Sequence, residues 1–427
     1  MDEIRFDPQT GRPVQPQYAV MRKTFSATAK ERLLALLSYP AAFLYVCAIL
    51  AEGKTLRILF AVFTLVFCLG VEYAHRTVRA GWERWVWLGC LALCVLPPLW
   101  GGGKVWEDHT WLFLHGFAIY YVLNRADALM EGRTSHLLPA DGFCGAIVYP
   151  FANFFLRFRV LGTFPRRREK TAGRTVFWSV LAILAAAGAF IAAAVLLSQA
   201  DRGFAELIRA PFTIKVHFDL ITFFSRLVLS LPVGAYLYGL AVGVGREQQI
   251  RERGGKLCAA LERMRAVPVK IWIALLAVFA LLYGVFFFVQ GQYLFGAFTR
   301  TLPKDFTVAE YARQGFFELC KVMVLNFALL WLALRSAGES ARTHRGLRAA
   351  ATVILAESLL LAVTAGSKLW LYIDCFGFTP LRLQSAWLIA SLSVGVICAI
   401  WSLWTNRRSV RAWAIFSGLS LALLHLV

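Results

Sequence analysis

The chain has 427 residues, 59% of them hydrophobic and 16% charged, with a formal net charge of +20 from 45 Lys and Arg against 25 Asp and Glu. A soluble chain of this length dresses its surface with roughly a quarter charged residues, so the composition excludes an ordinary soluble enzyme and fits a surface that faces hydrocarbon. The basic excess does not indicate nucleic acid, because the Lys and Arg fall almost wholly between apolar segments, where membrane orientation accounts for them.

Residues 1–32, opening MDEIRFDPQTGRPVQPQ, read as a disordered basic leader that ends in Arg22, Lys23, Lys30 and Arg32. The first apolar segment is too long and too late for the hydrophobic region of a cleavable signal peptide. Residues 33–427 read as a single all-α domain, a polytopic transmembrane helix bundle of about 11 spans. The spans are 33–51, 56–74, 85–100, 110–128, 176–197, 223–244, 267–290, 315–335, 349–372, 383–404 and 410–427. Most approach the roughly 20 residues that cross a bilayer; the third is short and broken by Pro97 and Pro98. Alternation from a cytoplasmic N-terminus puts 32 of the 45 Lys and Arg in inside regions and 11 in outside ones, counting span-end residues with their loops. That asymmetry is what the positive-inside rule expects, and it makes the C-terminus external.

Two cytoplasmic regions are long. Residues 129–175 include YPFANFFLRFRVLGTFPRRREK, in which Phe151, Phe154, Phe155 and Phe158 mix with Arg157, Arg159, Arg166, Arg167 and Arg168. Such a segment suits a helix in the anionic cytoplasmic interface, as an orienting cluster with aromatic anchors or as a contact for anionic headgroups. Residues 246–270 read as a second basic amphipathic helix, broken at Gly254–Gly255. The external loops 198–222 and 291–314 read as short amphipathic elements. Gly239 and Gly243 form a small-xxx-small face suited to close packing within the chain.

The polar residues inside spans carry the functional question. The stretch TVAEYARQGFFELCKVMV (307–324) opens with Thr307 and Glu310 spaced as a capping box. At 100° per residue, Glu310, Gln314, Glu318 and Lys321 fall within an arc of about 80°. Glu357, Thr364 and Lys368 share a face of the ninth span, and Asp219, Arg226 and Ser230 one of the sixth. A charge at mid-bilayer costs from about 3 to over 10 kcal/mol, so it persists only beside a partner or a wet cavity. Two readings follow: ion pairs and interhelical ties that fix packing, or an outward-facing polar cavity for an ion, headgroup or small solute.

Enzyme signatures are missing: no HExxH, no GxSxG, and GGGK at 101–104 lacks the spacing and following hydroxyl of a Walker A loop. The nine cysteines form no CxxC pair, and Cys90 and Cys94 behave as small hydrophobes. No metal or cofactor motif is present, and His115, alone in an apolar segment, reads as a packed residue.

Three segments, QYLFG (292–296), YARQGFFEL (311–319) and YIDCFGFTPLRL (372–383), occur in an order that resembles the bacterial integral membrane family catalogued as domain of unknown function 4153/4173. In that family a Gly-Leu-Thr-x-x-Arg turn follows a Tyr at a helix end; here Phe378 stands for the Leu, and Lys368 stands for an Arg. The resemblance implies an all-helical multi-pass protein of the bacterial inner membrane with Tyr311, Arg313, Glu318, Lys368, Thr379 and Arg382 as positions of interest, and it supplies no activity. The first expectation is a transporter or permease with a polar site drawn from those six, Arg226, Lys321 and Glu357. The alternatives are a scaffold or sensor subunit with a membrane-protein partner, and an enzyme acting on a lipid-linked substrate.

Overall fold

The computed structural model describes residues 25–51, 53–79, 81–106, 108–164, 220–247, 250–263, 267–299, 316–337, 344–405 and 409–427. Helix α1 (Ala29–Ile49) opens on a capping box: Thr28 Oγ1 accepts the Glu31 N–H at 3.2 Å, and a Glu31 carboxylate oxygen accepts the Thr28 N–H at 2.7 Å. Then come α2 (Gly53–Ala74), α3 (Glu83–Val95) and α4 (Thr110–Arg125), followed by the short turns α5 (Leu138–Phe143), α6 (Tyr149–Ala152) and α7 (Leu156–Leu161). The second half comprises α8 (Leu220–Ala241), α9 (Ile250–Arg263), α10 (Val269–Thr299), α11 (Phe316–Ser336), α12 (Arg345–Phe376), α13 (Pro380–Thr405) and α14 (Val410–Leu423). Strands are absent among the described residues, apart from one bridge between Val267 and Ala337.

Seven of these helices, α1, α2, α8, α10, α11, α12 and α13, are long and apolar enough to cross a membrane. Their outer faces show why: Leu65, Leu69, Leu281, Leu282 and Phe288 stand exposed, a density of bare apolar surface that water does not tolerate. The expected third, fourth and eleventh spans correspond to α3, α4 and α14, of 13, 16 and 14 residues, short of a full crossing by themselves. The expected fifth span, 176–197, lies outside the described residues.

Two large cores organise the bundle, with a smaller cluster of Leu34, Leu156, Val160 and Tyr238 where α1, α7 and α8 meet. One is built from α10, α11, α12 and α13, with Leu276, Met323, Leu347, Ile354 and Val396 at its centre; α12 packs against the other three. At 32 residues α12 runs about 48 Å, well beyond the hydrocarbon thickness. The other core gathers α2, α3, α4, α8 and α14 around Trp87, Leu91, Tyr121 and Leu123, with α1 packed along α8. Helices α13 and α14 pack on each other, and α14 packs on α3, so the C-terminus links the two cores.

The small-xxx-small face on α8 packs inside the chain. A Cβ on Gly239 would lie 2.6 Å from the Pro150 carbonyl oxygen, and one on Gly243 2.5 Å from the Asn153 Cβ. The glycines let α8 and the Gly243–Arg246 turn press directly on α6 and the residue after it. Gly243→Ala is expected to cost about 1–3 kcal/mol by overpacking, seen as a lower unfolding midpoint of the detergent-solubilised protein; an unchanged midpoint would mean that this contact is loose.

Candidate functional site

A buried polar chain crosses the α10–α13 core. Tyr283 of α10 donates its hydroxyl to Asn326 Oδ1 at 2.7 Å, and the Asn326 amide of α11 donates to Ser358 Oγ of α12 at 2.8 Å. The Ser358 hydroxyl in turn donates to the Ile354 carbonyl at 2.8 Å. Asn326 and Ser358 are each 1% exposed. Apolar interiors leave no room for an unbonded amide, so this chain fixes the rotation of three helices relative to one another.

Glu357 precedes Ser358 on α12 and is half-buried, and its Oε2 is buried without a hydrogen-bond partner. It stands close enough to Tyr283 for the two to interact electrostatically. Two and three turns further along the same face come Thr364 and Lys368, both 0% exposed. Thr364 turns its hydroxyl back to the Leu360 carbonyl at 2.9 Å. From Glu357 to Lys368 the rise is about 16 Å, so the stripe follows a large part of the span.

The other expected positions separate. Glu318 and Lys321 stand exposed on the outer side of α11, Glu318 in its first turn, and no ion pair joins them. Tyr311, Arg313, Thr307, Glu310 and Gln314 lie outside the described residues, as does Asp219. Arg226 is half-buried on α8, which packs on α1, α6 and α7 rather than joining the α10–α13 core.

Thr379 and Arg382 shape the turn between α12 and α13. Gly377 ends α12 at φ +75°, a left-handed value that favours glycine. The Thr379 carbonyl accepts the N–H groups of Arg382 and Leu383, each at 3.1 Å, and Pro380 opens α13 where no N–H is required. Arg382 reaches back to the carbonyls of Phe376 (2.8 Å) and Gly377, with its guanidinium 4.0 Å from the Tyr372 ring centre. The Tyr, Gly, Thr and Arg of that segment therefore act as one helix-to-helix clamp.

The basic aromatic segment needs a correction. Arg157 is 0% exposed and makes no lipid-surface contact. It is trapped between α1 and α8, because its planar charge stacks 4.0 Å from the Tyr39 ring centre while it donates to the Leu231 carbonyl at 2.8 Å. Burial pulls its basicity down from the ordinary arginine value. Arg159 is exposed and stacks on Phe25. Arg166, Arg167 and Arg168 lie outside the described residues. His115 is packed among rings, with Tyr45 and the Trp111 carbonyl as partners.

The end of the bundle that carries α9 holds a polar knot that the sequence did not reveal. Arg125 pairs with Glu72 at 2.6 Å, and Tyr121 donates to the same carboxylate at 2.9 Å. Glu83, 2% exposed, accepts the Thr134 N–H at 3.1 Å and the Thr134 hydroxyl, and pairs with Arg411 at 2.6 Å. A small cavity of about 80 Å³ adjoins Glu83, Asp127, Arg133 and Arg411. Buried His75 bonds the Ala241 carbonyl through Nε2 at 2.8 Å, and its basicity is lowered by that burial. Individually these residues are ordinary loop charges; only side-chain convergence marks them.

Asp141 lies nearby, 1% exposed, with the Met130 N–H on Oδ1 at 3.0 Å and Oδ2 without a hydrogen-bond partner. Burial raises its carboxyl from 3.8 to about 6. Because the folded state holds the proton more tightly, the protein loses stability as pH rises from about 4 through 6, and the penalty is fully present above that. Asp141→Asn keeps the Met130 bond. It is expected to be about 3 kcal/mol more stable than the wild type at pH 8 and within about 0.5 kcal/mol of it at pH 4. Unfolding midpoints of both proteins across that range test this; equal differences at both ends would refute it.

A family model described as a domain of unknown function, DUF4153, matches residues 87–427. That span takes in the whole α10–α13 core and the part of the other core from Trp87 onward, leaving out α1 and α2, and reaches well beyond the three segments at 290–390. No curated protein and no solved structure matches the chain.

Proposed function

The chain belongs to the DUF4153 family of membrane proteins of unknown function, and from that premise we propose a transporter-like protein that handles a proton, cation or small polar solute along the α12 stripe. In this reading the protein lies in the bacterial inner membrane with about eleven spans, a cytoplasmic N-terminus and an external C-terminus, as the loop charges favour. The observation that carries the reading is Glu357. A carboxyl oxygen buried among membrane helices without a hydrogen-bond partner is costly, and such a group is retained where it takes up a proton, a cation or a solute. Tyr283, Asn326 and Ser358 hold the surrounding helices in register. Lys368, on the same face, gives the path a second ionisable group of opposite sign.

The test is solute or proton flux in proteoliposomes containing the full chain. Glu357→Gln, which keeps the shape and removes the titratable group, is expected to lower flux at least about tenfold with an unchanged elution profile. Flux equal to wild type would sink the reading.

One observation favours the scaffold alternative: Glu318 and Lys321 stand exposed on α11 instead of being buried in the bundle. Charges so placed suit a partner helix that carries complementary groups. Cross-linking from position 321 in native membranes separates the two readings, since a single recurrent adduct supports a partner and the lack of one counts against it.

A further inference from the structure

Away from the α12 stripe, the structure brings together three side chains of metal-ligand type. Glu131 and His136 lie on the segment between α4 and α5, and Cys258 lies on α9. Their ligating atoms all fall within 4.8 Å of one another, and all three residues are half-buried. We propose that Glu131, His136 and Cys258 form a zinc site that fastens α9 to the 126–137 segment.

The spacing is informative. His136 Nδ1 and the Glu131 carboxylate are 3.5 Å apart, too far for the roughly 2.7–2.9 Å of a charge-assisted hydrogen bond. Two ligands at about 2.1 Å from one tetrahedral zinc stand about 3.4 Å apart. The thiolate, with its longer bond of about 2.3 Å, sits slightly further out on the same tetrahedron. The triad thus needs a contraction of up to about 1.2 Å to close on an ion.

The chemistry selects the metal. Imidazole, thiolate and carboxylate together suit a borderline-soft ion such as Zn²⁺, whereas Mg²⁺ and Ca²⁺ take oxygen ligands and an iron–sulfur cluster needs more thiolates. One carboxylate and one thiolate neutralise the charge of the ion, and because such ligands bind deprotonated, affinity rises with pH. The fourth position falls to water or to Glu262, one turn beyond Cys258 on the same face of α9.

The frame around the triad is set independently of any ion. A Cβ on Gly254 would lie 2.8 Å from the Met130 Cβ, so only glycine lets α9 approach this closely. Arg251 pairs with Asp127 at 2.6 Å one turn earlier. Helix α9 is therefore held against the segment that carries two of the ligands, and the third points to the same spot.

The experiment uses the full-length, tag-free protein in nanodiscs, stripped with chelator and titrated with Zn²⁺ against a chromophoric competitor. One ion per chain is expected, with the affinity lowered more than about 100-fold in Cys258→Ser and His136→Gln, since even outer-shell losses cost about 10–100-fold. No binding by the wild type, or equal binding by both variants, overturns the site. Should either variant fail to elute as wild type, Co²⁺ added to the wild type decides. A thiolate-to-cobalt charge-transfer band supports Cys258 as a ligand, and its absence refutes it. Glu357→Gln is expected to bind Zn²⁺ normally, so loss of flux and loss of metal are separable.

Discussion

Replacing Arg157 with Ala is expected to destabilise the protein by about 3 kcal/mol. The figure combines a desolvated cation–π contact of about 2 kcal/mol with a charge-assisted hydrogen bond of about 1.5 kcal/mol or more, partly offset because no charge is left behind. The geometry leaves little room for repair. The guanidinium sits over Tyr39, with Phe158 at 5.2 Å on another side, and α8 accommodates it only because residue 234 is glycine. A Cβ there would come within 2.3 Å of the Arg157 Nη1. Arg157→Lys keeps the charge and loses the planar fork, so it should recover only part of the loss. Chemical or thermal unfolding of detergent-solubilised protein measures both; a loss below about 1 kcal/mol for Arg157→Ala would mean that the residue is dispensable for packing.

Removing Glu83 should cost a similar amount, about 3 kcal/mol, for a different reason. Its carboxylate, in the first turn of α3, collects the Thr134 N–H, the Thr134 hydroxyl and Arg411, which begins α14. Glu83→Ala strands a buried backbone donor and a partly buried guanidinium, and breaking such a pair from one side is the costly direction. Glu83→Gln keeps an acceptor for Thr134 and should lose about half as much. Pairing Glu83→Ala with Arg411→Ala tests the coupling. If the two losses simply add, the residues do not act on each other, and the knot is not what ties the C-terminus to α3.

Both residues show why much of the chemistry was not legible in the chain. A run of alternating Phe and Arg at 151–159 has the composition of a surface helix. Burial of Arg157 follows from a stacking partner 118 positions earlier and a glycine 77 positions later, which no local pattern displays. Arg382 behaves in the opposite way. Its whole clamp, from Tyr372 through Gly377 to Pro380, lies within eleven residues, so the motif was visible although its role as a turn was not. The buried amide chain leaves a fainter trace: Asn326 stands in the middle of an apolar run, and that position is its one signal in the sequence.

What the sequence determined by itself was the class of the protein. Long apolar runs, few charges and basic loops dictate a helical membrane bundle, because a backbone in hydrocarbon must satisfy its own hydrogen bonds, and helices do so within single segments. Among the described residues, helices appear where hydropathy placed them, α10 to α13 most clearly, since each is specified by a continuous stretch of chain. Which side chains meet was decided only by tertiary structure. A helix face covers about a third of the circumference, and the angle at which it turns to a neighbour depends on packing across the whole core. That rotation set Lys368 inside and Glu318 and Lys321 outside, separated Arg226 from the α12 stripe, and brought Glu131, His136 and Cys258 together from two distant segments.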